Sequence, residues 1–246
     1  MLYKFKGNIG LGNPNFIRDI EMIRNDEIWC SNIKDLNDPS EASYSLNDFL
    51  RNLSHGLKFF SFLGIKSYNQ NNINSYKNAL EQVMNLHSEY CGVYSLSGNY
   101  NNELMWAHYS NSHKGFCIEY DFENLKDFDL KFSEQNPLSH LNRFGKVNYS
   151  DTLFQISTIN PNYDDIVKFL FFKSKIWSYE EEYRIITNIA GKFKYNAKCI
   201  KSISFGLNMT DVEKSFIVNN LKEKEIDFYQ MCRKNDKFEF YRELIK

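Results

Sequence analysis

The sequence predicts an α+β fold: mixed and antiparallel sheets of short strands, with helices inserted between them. Three observations carry that expectation. β-branched and aromatic residues gather in short runs bounded by turn residues, as in Gly92-Val93-Tyr94-Ser95-Leu96-Ser97 and Gly115-Phe116-Cys117-Ile118-Glu119-Tyr120-Asp121. Apolar residues at helical spacing fill several intervals between them. No regular βαβ alternation, glycine-rich dinucleotide fingerprint, P-loop, Gly-x-Ser-x-Gly elbow or His-Glu-x-x-His helix is present. The 246 residues are enough to bury a core. A single domain over 1–246 is expected, with a helical insertion at about 45–90.

In chain order, Leu2 to Phe5 reads as a short alternating strand. Asn13-Pro14 starts a helix, with Asn as N-cap and Pro in the first turn, and Phe16, Ile17, Ile20 and Ile23 share one face. Glu27 to Ser31 is a second strand, running into the turn Asn37-Asp38-Pro39, where Pro biases Asp38 to an extended conformation. Phe49, Leu53, Leu57 and Phe60 mark one helix. A polar break at Ser67 to Asn74 precedes a second, carrying Ala79, Leu80, Val83, Met84 and Leu86.

Gly92 to Ser97 is a strand, Glu103 to Tyr109 a short helix, and Gly115 to Asp121 the next strand. A charged, poorly periodic loop containing Pro137 extends to Asn142. Gly145 to Tyr149 is a strand, and Pro161 opens a helix through Ile166, Val167, Phe169, Leu170 and Phe171, with Lys173 and Lys175 at its polar end. Tyr183 to Asn188, Cys199 to Phe205 and Ile226 to Met231 read as strands. Thr210 caps a helix from Val212 to Leu221, and Phe238 to Leu244 closes the chain as a strand.

Formal net charge is -1, so no whole-molecule basic field supports bulk capture of nucleic acid. The five cysteines, Cys30, Cys91, Cys117, Cys199 and Cys232, show no Cys-x-x-Cys pairing, which fits reduced, mostly buried thiols in a cytoplasm. Of the five histidines only His108 and His113 lie close, without a third marked ligand, and no metal is expected. The first residues lack the apolar core of a signal peptide, and no apolar run spans a bilayer. A cytoplasmic protein without membrane association is expected.

The stretch with most chemical potential is Trp177-Ser178-Tyr179-Glu180-Glu181-Glu182-Tyr183-Arg184-Ile185-Ile186. If extended, it sends Glu180 and Glu182 to one face and Glu181 to the other. A solvated charge cluster ahead of a strand is the plainer reading of the same residues. Met105, Trp106 and Tyr109 form an aromatic helix face, and core packing is the commoner role for a residue placed like Trp106. His108 suits either a base or a partner of a backbone carbonyl, and His113 sits in the loop before Gly115.

Together Leu2-Tyr3-Lys4-Phe5, Asn37-Asp38-Pro39, Leu104-Met105-Trp106-x-His108-Tyr109, His113-x-Gly115-Phe116 and Trp177-x-Tyr179-Glu180-x-Glu182-Tyr183-Arg184 resemble the bacterial family catalogued as domain of unknown function 2971. The order of pieces is also similar to ADP-ribosyltransferases of the PARP and DarT type. In those, a first strand of the form Leu-Tyr-His helps hold NAD, and here Leu2-Tyr3-Lys4 occupies that place. A strand, a short helix ending in Tyr and a strand beginning near Gly follow; Gly92 to Ser97, Tyr109 and Gly115 to Tyr120 are similar. A Glu directly before a strand closes the set, and Glu182-Tyr183-Arg184 fits that slot. Lys4 departs from the usual His or Arg.

This resemblance implies an ADP-ribosyltransferase-like core with NAD as substrate, and ADP-ribose transfer to a macromolecular acceptor, protein or nucleic acid, or NAD hydrolysis. It also implies a toxin or phage-defence role. Glu182 stabilises the oxocarbenium-like sugar, and Glu180 orients the acceptor or acts as base. Tyr109 offers a flat face for nicotinamide, with Tyr3 or Trp106 as second wall. Lys4 holds a diphosphate or ribose hydroxyl, Arg184 positions Glu182 or binds phosphate, and Ser95 contacts NAD. Asp38, His108 and His113 are candidate substrate contacts. Two other readings compete: a non-catalytic nucleotide- or partner-binding module, and a metal-dependent nuclease using Glu180, Glu182 and Asp38.

Overall fold

A computed structural model describes residues 1–62, 70–121, 125, 142–157 and 161–245, with only the backbone of 57, 59–62 and 70–72. The architecture is α+β, organised on a 10-stranded, mostly antiparallel sheet. Its centre is β1 (Leu2–Lys6), β4 (Gly92–Ser97), β5 (Phe116–Tyr120), β10 (Glu182–Thr187) and β12 (Ile200–Phe205), in the order β10-β4-β1-β5-β12. β6 (Arg143–Lys146) continues the sheet beyond β10, and β2 (Glu27–Asn32) joins β4 and pairs with β11 (Gly191–Lys194). At the other side β13 (Asp227–Arg233) runs parallel to β12 and β14 (Phe240–Leu244) closes the edge. The crossover from β12 to β13 passes through a helix, so one parallel βαβ unit exists inside a main sheet whose other described pairings are antiparallel.

Local chemistry explains the helices. α1 (Pro14–Arg24) has Pro in its first turn and the Asn13 side chain accepting from Asn15 N–H. α4 (Glu103–Tyr109) starts at Asn102, whose side chain accepts from Leu104 and Met105 N–H groups. α6 (Asp211–Asn220) begins with a reciprocal box between Thr210 and Glu213. α2 (Asn47–Phe62) and α3 (Gln70–Tyr90) form the helical section. Gln70 to Asn74 belong to α3 rather than to a polar break, and residues 63–69 lie outside the described set.

The helix expected from Pro161 to Phe171 divides instead. α5 (Tyr163–Val167) is capped by Asn162 and Asp165, and Lys168–Phe171 tightens into a 3-10 turn before β9 (Phe172–Ser174). Gly145 to Tyr149 likewise splits at Val147, β6 pairing with β10 and β7 (Asn148–Ser150) with β9. β3 (Tyr44–Ser45) pairs with β8 (Phe154–Gln155) apart from the main sheet. Of the loop expected from Asp121 to Asn142, residues 122–124 and 126–141, Pro137 and His140 included, lie outside the described set.

Strand alternation sorts the side chains into cores on the two faces. Leu2, Tyr94, Leu96, Ile118 and Ile185 point to the face covered by α1 and α6, where Phe16 packs on Phe216 at 5.7 Å. The opposite face carries two smaller cores. Val93 and Ile186 pack with Phe49, Leu53, Leu80 and Met84 of the helical section. Tyr3, Phe5 and Cys117 pack with Met105 and Trp106 of α4 and with Met231 and Phe240. Between those two cores lies a cleft.

Candidate functional site

The cleft exists because the sheet splits. β10 pairs with β4 along its full length, from Glu182–Ser97 to Thr187–Gly92. The other edge of β4 is divided: β2 takes the Gly92–Val93 end and β1 meets it at Tyr3–Ser97. Between those attachments Lys4 crosses the gap, its Nζ donating to Ser95 O at 2.9 Å and lying 4.7 Å from the centre of the Tyr94 ring. A cavity of about 130 Å³ opens there, walled by Tyr3, Phe5, Leu36, Leu96, Met105 and Tyr109. Glu41, Lys173, Glu180 and Glu182 also line it.

Those four residues and Arg184 make one buried ion network. Lys173 Nζ lies 2.6 Å from Glu180, 3.2 Å from Glu41 and 3.3 Å from Glu182. Arg184 Nε donates to Glu182 at 2.8 Å, its NH2 group to Glu41 at 2.8 Å and its NH1 group to Leu170 O at 2.7 Å. Glu180 and Glu182 are each 3% exposed and Arg184 is 1% exposed. Three carboxylates against two cations is tolerable at this depth only with close pairing.

The two carboxylates of the acidic motif converge by an unexpected route. Lys175–Glu180 is a 3-10 turn, not a strand, and Glu181 adopts a left-handed conformation at φ 46° before β10 begins at Glu182. Alternation along an extended chain therefore does not bring Glu180 and Glu182 together; a reversal of backbone hand at Glu181 does. Glu181 is exposed and accepts a hydrogen bond from Asn99.

Their surroundings push them apart. Burial raises the Glu180 carboxyl above its usual range, although Lys173 and the Tyr109 hydroxyl, which donates to it, work in the other direction. Burial acts on Glu182 in the same sense, but the Arg184 guanidinium, Lys173 and Ser95 together outweigh it and bring that carboxyl well below its usual range. Lys173 also feels burial, yet Glu182, Glu41 and Glu180 together hold it above the usual lysine value. Lys4 goes the other way: burial and then Lys6 lower it to about 8.

Tyr3, Lys4, Ser95, Tyr109, Glu180 and Glu182 thus meet at one cleft, with Arg184 behind Glu182. Lys4 reaches the cleft wall, but strand alternation directs its side chain to the face opposite Tyr3 and its ammonium is taken up by Ser95 O. Trp106 is elsewhere: it is fully buried, edge-on to Phe5, with Nε1 donating to Tyr100 O. Asp38 is buried in the turn, its carboxylate accepting from Ser40 N–H. His108 is exposed outside the cleft, with Nδ1 3.0 Å from the Tyr179 hydroxyl. His113 stacks on Trp106 at 6.3 Å, and burial lowers its pKa.

Glu41, Lys173 and Asn37 are the site members that sequence reasoning did not single out. The Asn37-Asp38-Pro39 turn delivers two of them. Glu41 N–H bonds Asp38 O, so the chain folds back and places Glu41 on the cleft floor while Asn37 stays at the mouth, donating to the Tyr109 hydroxyl at 2.9 Å. A carboxylate two positions beyond the motif was the signal available in the sequence. Among the described residues no group of three or more His, Cys, Asp and Glu has metal-holding geometry, and no helix is long and apolar enough to cross a membrane.

No curated protein and no solved structure matches the chain. A family model does, over residues 105–185, a span from α4 to β10 that contains Tyr109, Lys173, Glu180, Glu182 and Arg184 but not Lys4, Asn37 or Glu41. That family, the one to which the sequence motifs point, is described as protein of unknown function (DUF2971).

Proposed function

We propose that the cleft is the active site of an NAD-using ADP-ribosyltransferase-like enzyme, which transfers ADP-ribose to a macromolecular acceptor or hydrolyses NAD. The observation that supports this reading most is the unequal pair Glu180 and Glu182 at the cleft floor. Two carboxylates whose environments separate their proton affinities are suited to separate roles. Glu182, kept anionic by Arg184, is suited to the positive charge that grows on the ribose as its bond to nicotinamide breaks and the electron pair leaves with the nicotinamide nitrogen. Glu180, with raised affinity, is suited to take the proton from the attacking water or acceptor hydroxyl. The rings of Tyr3 and Tyr109 supply flat walls for nicotinamide. Lys4 is assigned to holding the split open, not to binding diphosphate, because its ammonium is engaged by Ser95 O. A toxin or phage-defence role rests on the resemblance alone.

One observation favours a second reading, a non-catalytic nucleotide- or partner-binding module. Glu41 and Glu182 are already paired with Arg184 and Lys173, as in purely structural ion networks. The discriminating experiment incubates pure protein with NAD, with and without cell lysate as acceptor, and follows nicotinamide release. Glu180→Gln and Glu182→Gln serve as controls, with melting curves to check that each variant folds. Release that falls about 100-fold or more in folded Glu180→Gln supports catalysis. No release under either condition overturns it, and nucleotide binding without turnover, unchanged in folded Glu182→Gln, selects the second reading.

A further inference from the structure

Asn37 stands at the mouth of the cleft, on the rim opposite α4, and its carboxamide Nδ2 donates to the Tyr109 hydroxyl oxygen at 2.9 Å. The same hydroxyl donates to Glu180 Oε1. An amide nitrogen only donates, and a phenol carries one hydrogen. With an N–H arriving at its oxygen, the Tyr109 hydroxyl keeps its proton for the carboxylate. We infer that Asn37 is a positioning residue of this site, committing the single hydroxyl proton of Tyr109 to Glu180. The inference rests on the cleft being the reacting site, and it extends the site to a residue on the exposed rim.

The alternative occupant of position 37 shows why polarity matters. An acceptor there would draw the Tyr109 proton outward and leave Glu180 with Lys173 as its side-chain donor. Of the other groups around this pair, Lys173 donates to Glu180 at 2.6 Å and Glu182 acts on Glu180 through charge, while the Tyr179 hydroxyl, itself 3.0 Å from His108 Nδ1, is a second hydrogen-bond neighbour of the Tyr109 hydroxyl. Asn37 is held for its task by the rigid Pro39 turn, in which Asp38 accepts from Ser40 N–H. It is not in the network of buried ions, so its removal leaves the Lys173 and Arg184 pairings in place.

The test reads the titration of the Glu180 carboxyl by carbon NMR, its signal identified by loss in Glu180→Gln. Wild type, Asn37→Ala, Tyr109→Phe and the double variant are compared. Tyr109→Phe is expected to raise the Glu180 midpoint by roughly one pH unit, and Asn37→Ala by a fraction of that, since the freed hydroxyl then shares its proton with water. In the Tyr109→Phe background Asn37→Ala is expected to add nothing, which a merely structural loosening of the turn would not produce. An unchanged midpoint in Asn37→Ala, or an equal shift with and without Tyr109, overturns the inference. A parallel pH profile of nicotinamide release separates the two layers. Shifted titration without turnover leaves the positioning intact and removes the enzyme reading, whereas turnover with an unshifted titration does the reverse.

Discussion

Replacing Lys173 by Met tests the electrostatic design of the site most directly. Lys173 is the sole cation within 3.3 Å of Glu180 among the described residues, and it also serves Glu41 at 3.2 Å and Glu182 at 3.3 Å. The variant keeps the volume but leaves three buried carboxylates to Arg184. Removing one partner of a buried pair costs about 3–5 kcal/mol, because the other charge stays desolvated. Part of that cost is escapable. Glu180 already has a raised pKa, and without Lys173 it rises further, so the group is expected to take up a proton as the solution is acidified. The sign follows: a carboxyl raised above its unfolded value favours the fold below the unfolded pKa and loses that contribution as pH rises through the folded pKa. The deficit of Lys173→Met is therefore largest at pH 7 and shrinks toward pH 5. Urea unfolding at both pH values measures it, and Glu180→Gln in the same background is expected to return about 1 kcal/mol or more at pH 7. A deficit below about 1 kcal/mol at pH 7, or one equal at both pH values and additive with Glu180→Gln, refutes the reasoning.

Three further outcomes follow from local geometry. Lys4, lowered from 10.5 to about 8, costs the fold most below pH 8, and the cost fades as pH rises toward 10.5; relative to Lys4→Met, wild type is expected to gain about 2–3 kcal/mol between pH 7 and 10.5 in urea titrations. Asn102→Ala removes the cap of α4 and a bond to Tyr179 O, and should cost about 1–2 kcal/mol in thermal or urea unfolding. Gly115→Ala places a Cβ 2.0 Å from Lys6 O, against backbone that has no room to move, and should cost more than about 4 kcal/mol, whereas Gly12→Ala meets nothing within 4 Å and should be neutral by melting temperature.

What the sequence made legible was local. Asn13 and Thr210 announce their helices because cap chemistry is decided within three or four residues. β4 and α4 follow their runs residue for residue, since their patterns have little competition. The short strands β3, β8, β9 and β11 were not legible as such, because each is defined by a partner far away in the chain. The same limit governs the site. Glu180 and Glu182 stood out as a motif, but the left-handed Glu181 that joins them is a single φ value that three identical side chains do not encode visibly. Lys173 read as the polar end of a helix, and its burial follows from β9 pairing with β7. Asp38 and Trp106 drew attention by type, and the fold uses them for a turn and a core.

The Asn37-to-Glu41 turn carries a consequence for how this chain tolerates changes in length. Its two ends are fixed at different depths, Asn37 to Tyr109 at the rim and Glu41 to Arg184 and Lys173 on the floor. A surface loop ordinarily absorbs an inserted residue at little cost. Here Pro39 and Ser40 are exposed and leave an extra residue room to bulge outward, but only if neither anchor shifts from its partner, so the spacing of these two side chains is as much a part of the site as their identity.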